Sequence, residues 1–173
     1  MVSLAIQAAK AFADTVHKNQ KYGKTLPYSK HLEDVLKTLI RFGVTDDDML
    51  VAALLHDSVE DTNTTIFQLE AAFGRRVSEL VHCVTNEPGK NRKERHQNTY
   101  SKIAGNKDAT TLKLADRISN LEYSIESQDD GKIKMYTKEY KEFRERLYTA
   151  GTHDAMWRHL DFLIGDSYDQ PAL

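Results

Sequence analysis

The sequence predicts an all-α fold, and three observations predict it. Apolar residues recur three or four positions apart through most of the chain. No segment alternates with period two over a useful length. The prolines, Pro27, Pro88 and Pro171, fall between or after the helical runs rather than inside them.

Taken in order, Leu4, Ala8, Ala11, Phe12 and Val16 mark a first amphipathic helix that ends near His17. Leu32, Val35, Leu36, Leu39 and Ile40 form a second stripe, begun at about His31 and stopped by Gly43. Thr45 reads as the next N-cap, with Asp46, Asp47 and Asp48 in a first turn where carboxylates meet the positive end of the helix dipole. The run Met49 to Leu55 is apolar on nearly every side, which makes it the central, buried helix. Thr64 or Thr65 caps a short helix ending near Phe73-Gly74, and Arg75 to Thr85 forms another. Further helices are expected around 93–104, 108–127, 131–149 and 153–164, the last anchored by Trp157. One domain over 1–165 is expected, with 166–173 a flexible C-terminal tail.

Lys and Arg total 24 against 26 Asp and Glu, so the net charge of −2 argues against bulk attraction to nucleic acid or to an anionic membrane. No apolar stretch approaches the roughly 18 residues of a membrane span. The N-terminus lacks a basic region followed by an apolar signal core, so the cytoplasm is the expected compartment. Cys83, the sole cysteine, sits in the apolar run Leu80 to Val84 and reads as a buried hydrophobe rather than a reactive thiol.

Chemistry concentrates where the buried helix ends, in His56-Asp57-Ser58-Val59-Glu60-Asp61. A buried charge is costly unless it is paired or bound to metal. Alone, the segment reads equally well as a helix terminus with solvated acids. Two other segments tip the balance. His31 stands at a loop-to-helix junction after Pro27-Tyr28, and Asp116 lies inside the largely apolar stretch Leu112 to Leu121. Two histidines and two aspartates make a mixed nitrogen and oxygen donor set. It suits Mn, Fe or Ni better than a thiolate zinc site does, and leaves positions for water and phosphate.

The order His31, His56-Asp57, Asp116 resembles the H…HD…D signature of the HD superfamily. The likeness is closer in Ala52 to Thr62 and in Leu112 to Asn120, which resemble the hydrolase domain of the RelA/SpoT alarmone enzymes and the small stand-alone alarmone hydrolases. Pro27-Tyr28 before His31, and Phe73-Gly74 followed by Val77, Leu80-Val81 and Val84-Thr85, extend it over roughly 5–125. The resemblance implies a compact multi-helix HD bundle around one divalent metal held by His31, His56, Asp57 and Asp116. Mn²⁺ is the first expectation, with Fe²⁺, Ni²⁺ and Zn²⁺ as alternatives. It implies hydrolysis of the 3′-pyrophosphate of (p)ppGpp to GDP or GTP and pyrophosphate. Glu60 and Asp61 would position or activate the attacking water, with their division of labour open. Asn120, one turn beyond Asp116, would contact substrate or water, while Arg117 points elsewhere and is structural.

A nucleotide with several phosphates needs cations. The candidates are Lys21 and Lys24 in the first loop, and Arg92, Lys93 and Arg95 in the second basic cluster. Either cluster reads equally as a solvated surface run. Tyr100 could stack on a base or belong to the core. The family usually carries an Arg-Lys pair in the first loop, and here Tyr22 stands close to where the Arg is expected. That departure keeps another substrate open, NADPH or a deoxynucleotide, and behind it a catalytically silent, nucleotide-binding HD domain. The charged, aromatic helix Met135 to Tyr148 offers pocket closure, a surface for homo-oligomers, or simple packing.

Overall fold

Seven consecutive buried residues, Met49 to Leu55, set the organisation of the molecule. A helix buried on all sides needs neighbours on all sides, and the chain supplies them. The computed structural model describes residues 3–165. Within them α1 (Leu4–Val16), α2 (Ser29–Arg41), α6 (Arg75–Val84) and α8 (Lys107–Glu126) all pack against that central helix, α3 (Asp47–Leu55). Ala52 and Ala53, both fully buried, let these neighbours approach closely. A four-residue helix α4 (Ser58–Asp61) follows α3, and α5 (Ile66–Phe73) packs on α6. Outside this group, α7 (Arg92–Ile103) and α9 (Asp130–Leu147) pack on each other, and α10 (Asp154–Ile164) packs on α8. Trp157 of α10 is buried against Phe143 and Tyr148, with ring centroids 5.6 Å apart in both pairs.

The fold is all-α as the periodicity predicts, and the helix order agrees throughout. Differences are local. Asp46, not Thr45, caps α3, because its carboxylate accepts from the Met49 N–H at 3.0 Å. Of the two expected caps, Thr64 or Thr65, it is Thr65 that caps α5, in a reciprocal capping box with Gln68. Ile40, placed in the buried stripe of α2, is 53% exposed. Lys21–Tyr22 (β1) and Leu26–Pro27 (β2) pair as a minimal antiparallel hairpin, too short to alternate visibly in sequence. Cys83 is buried, as is Tyr100, which belongs to the core. The segment 166–173, with Pro171, lies outside the described residues. Among the described residues, no helix is long and apolar enough to cross a membrane.

Candidate active site

A regular helix turns successive side chains about 100° apart, so His56 and Asp57 could not converge if α3 simply continued. The chain instead breaks after Leu55 and resumes as α4. At that break Asp57 Oδ2 comes within 3.2 Å of His56 Nε2. His31, in the first turn of α2, places Nε2 3.5 Å from Asp57 Oδ2 and 3.4 Å from Asp116 Oδ1. His56 Nε2 lies 3.7 Å from the same Asp116 oxygen. His31, His56 and Asp116 each offer one ligand atom within 4.8 Å of one another, and form a group that can hold a metal ion.

The hydrogen bonds say which atoms face that point. His56 Nδ1 is 2.8 Å from the Ala53 carbonyl, which fixes the proton there and turns the Nε2 lone pair inward. That Nε2 is buried with no hydrogen-bond partner among the described residues. A bare lone pair facing carboxylate oxygens is repulsive, so Nε2 must carry either a proton, as imidazolium, or a metal ion. The donor set and this orphaned nitrogen both fit a divalent metal.

Burial alone would push both histidines toward the neutral form. The Asp116 and Asp57 carboxylates override it and raise His31, and raise His56 well above the usual histidine range. Burial would likewise raise the two carboxyls. His56 and His31 hold Asp57 well below the usual carboxylate range, and Lys113 together with the histidines does the same for Asp116.

Each carboxylate also has a neutral or cationic support. The Tyr28 hydroxyl donates to Asp57 Oδ2 at 2.5 Å, Lys113 Nζ lies 3.1 Å from Asp116 Oδ2, and Asn120 Nδ2 donates to Asp116 Oδ1 at 2.6 Å. Beside them Glu60 and Asp61 line the same cleft, of about 160 Å³ and open to solvent. Asn86 grips Glu60 twice, through its backbone N–H at 3.2 Å and its Nδ2 at 2.8 Å. Gln20 Nε2 donates to Asp61 Oδ2 at 2.8 Å, while Gln20 Oε1 accepts from His17 Nδ1 at 2.7 Å.

The five expected phosphate contacts divide. Arg92 lines the cleft, and Lys93 lines an adjoining pocket that shares Arg92 and His96 with it. Lys21 and Arg95 are exposed, and neither is part of the cleft wall. Lys24 lines a separate pocket with Asp129 and Asp130. Arg117, expected to point elsewhere, is a buried part of the wall, where it meets Glu139 Oε2 at 2.9 Å. Sequence reasoning passed over Lys113, Asn86, Gln20 and His96. Lys113 had a usable signal, since it lies one helical turn before Asp116 on the same face. Asn86 and Gln20 had none, because they reach the acids across 26 and 41 residues.

Tyr22 is the unexpected component. Its ring is buried, stacked on His31 at 4.9 Å with an interplanar angle of 28°, and 4.3 Å from the Tyr123 ring. Gly23 follows with φ +60°, and a Cβ there would collide with the Tyr123 hydroxyl, so the loop can seat Tyr22 only with glycine next to it.

A helical bundle with paired His and Asp ligands at its centre is the architecture of the HD domain. The family model for that domain matches residues 9–147, and the chain belongs to the family. More particularly, it is 33% identical over 160 residues to guanosine-3′,5′-bis(diphosphate) 3′-pyrophosphohydrolase MESH1 of Danio rerio, covering 88% of each protein. It is 35% identical over 153 residues to the Homo sapiens protein of the same name, covering 85% of this chain and 86% of that one. The corresponding pyrophosphohydrolase of Aquifex aeolicus is 37% identical over 120 residues, which is 67% of this chain but 17% of that longer protein. Among solved structures, one described as a metazoan ortholog of SpoT that hydrolyzes ppGpp superposes with a TM-score of 0.81 at 28% identity, covering 94% of this chain and 95% of that one.

Proposed function

We propose that this protein hydrolyses the 3′-pyrophosphate of (p)ppGpp, releasing pyrophosphate and GDP or GTP. The observation that carries the reading is the acid pair Glu60 and Asp61, fixed by Asn86 and Gln20 in the cleft that also contains His31, Asp57 and Asp116. Likeness to pyrophosphohydrolases over most of their length supports the choice of substrate.

His31, His56, Asp57 and Asp116 would hold one divalent metal, Mn²⁺ first, with Fe²⁺, Ni²⁺ or Zn²⁺ compatible with the same donors. When bound, such an ion lowers the pKa of water and neutralises charge on phosphate oxygens. Glu60, with both oxygens on Asn86, orients the attacking water. Asp61 keeps Oδ1 without a partner among the described residues, and takes the proton as the new P–O bond forms. The bond between the attacked phosphorus and the ribose 3′-oxygen breaks, and the proton taken by Asp61 passes to that oxygen, so GDP or GTP leaves with a free 3′-hydroxyl. Lys113 and Arg92 supply positive charge that holds the 3′-pyrophosphate in the cleft. Lys93 extends the cationic rim, while Lys21, Lys24 and Arg95 act at most at long range.

A second reading, hydrolysis of NADPH or a deoxynucleotide, draws its support from Tyr22, an uncharged residue in the loop where a phosphate-binding cation is expected. The test is a panel of ppGpp, pppGpp, NADPH and deoxynucleoside triphosphates, incubated with protein and Mn²⁺ and resolved by ion-exchange chromatography. GDP and pyrophosphate from ppGpp are expected. Intact ppGpp beside a hydrolysed NADPH or deoxynucleotide would overturn the first reading in favour of the second.

A further inference from the structure

The amide of Asn120 lies between two groups that dictate its orientation. The Asp116 carboxylate can only accept hydrogen bonds when ionised, so the amide atom 2.6 Å from Asp116 Oδ1 must be the NH₂ group. Its other hydrogen is directed to the Asp116 backbone carbonyl, 3.1 Å away. The carbonyl oxygen of Asn120 therefore faces the other way, where the Tyr22 hydroxyl lies at 3.1 Å. An amide oxygen has no proton to give, so Tyr22 must be the donor.

Both N–H groups of Asn120 are thus engaged by Asp116, and one lone pair of its oxygen is engaged by Tyr22. From these contacts we propose that Tyr22 and Asn120 form a positioning relay for Asp116, and that Asn120 offers no N–H to substrate. Tyr22 is suited to the task because it cannot swing away. Its ring is held between His31 and Tyr123, and Lys132 Nζ stands 5.8 Å over its face. One buried side chain then supports two of the four ligands: it stacks on His31 and, through Asn120, orients Asp116. Asn120 is a positioning residue on this account, not a group that touches the nucleotide. The relay rests on reading His31, His56, Asp57 and Asp116 as a metal site.

The decisive variant is Tyr22→Phe, which keeps the ring and removes only the hydroxyl. Mn²⁺ affinity is measured by calorimetric titration, alongside kcat and KM for ppGpp, for wild type, Tyr22→Phe, Asn120→Ala and the double variant. Removing the hydroxyl that orients Asn120, the outer partner of Asp116, should weaken Mn²⁺ binding about tenfold in Tyr22→Phe. KM for ppGpp at saturating Mn²⁺ should stay unchanged, and the double variant should lose no more affinity than Asn120→Ala alone, since the two residues act in series. Unchanged Mn²⁺ affinity in Tyr22→Phe overturns the relay, as does a raised KM in Asn120→Ala with Mn²⁺ affinity intact. If Asn120→Ala does not fold, Tyr22→Phe decides alone. A wild-type protein that binds no Mn²⁺ would overturn the metal reading itself, an outcome distinct from intact wild-type binding with an indifferent Tyr22→Phe.

Discussion

Two regions share the walls of the catalytic cleft and were made by different physics. The ligand quartet gathers around the most apolar helix, at the break after α3, the first turn of α2 and the middle of α8, where Tyr28, the Ala53 carbonyl and Asn120 fix the direction of Asp57, His56 and Asp116. The α7–α9 wall gathers cations around one carboxylate. Arg92 Nε lies 2.6 Å from Glu139 Oε1, and Arg117 Nη1 lies 2.9 Å from Glu139 Oε2. In the quartet, residue type alone announces chemistry. In the wall, the charge available to a nucleotide is what remains after Glu139 has neutralised part of it. Counting basic residues along a sequence therefore overstates an anion site, because a carboxylate distant in sequence can offset part of the charge.

That contrast can be broken most forcefully at the quartet. His56→Ala should abolish Mn²⁺ binding and lower ppGpp turnover at least about 1000-fold, as loss of several kcal/mol of transition-state stabilisation requires. Asp61→Asn should retain Mn²⁺ and lose about 100- to 1000-fold in kcat, the range of a positioned general base. If it keeps wild-type kcat, the proton goes elsewhere.

The wall should respond differently, in stability and substrate affinity rather than chemistry. Glu139→Gln removes the carboxylate shared by two guanidinium groups, one of them buried, and should destabilise the fold by about 2 kcal/mol in urea melts at pH 7. Burial alone would raise the Glu139 carboxyl, but Arg92 and Arg117 override it and hold it below the usual range. A depressed folded pKa means that its stabilisation is present above the unfolded carboxylate pKa and is lost as pH falls through the folded value. The gap between wild type and variant should therefore narrow in strongly acidic urea melts. Arg92→Ala should raise KM for ppGpp about tenfold with kcat little changed, the loss of one charge-assisted contact. Lys21→Ala, at the exposed position of β1, should leave KM unchanged; a rise equal to that of Arg92→Ala would erase the distinction between the two basic clusters.

The helix order was legible because a 3.6-residue period and the placement of Pro and Gly are local properties. The quartet was legible because His56-Asp57 adjoins the apolar run of α3 and Asp116 interrupts the apolar run of α8. What stayed hidden depended on distance in sequence. Nothing local shows that Asn86 holds Glu60, that Gln20 holds Asp61, or that Glu139 cancels charge 47 residues earlier at Arg92. Tyr22 was noticed as a missing cation, while its role as a buried strut on His31 and Asn120 arises only when the hairpin folds over α2 and α8.

On the proposed mechanism, one metal held by the quartet carries the pyrophosphohydrolase activity. Protein stripped with chelator should be inert toward ppGpp. Added Mn²⁺ should then restore release of GDP and pyrophosphate, saturating at one ion per chain. Full turnover by the stripped protein, or none after one equivalent of Mn²⁺ has bound, would contradict it.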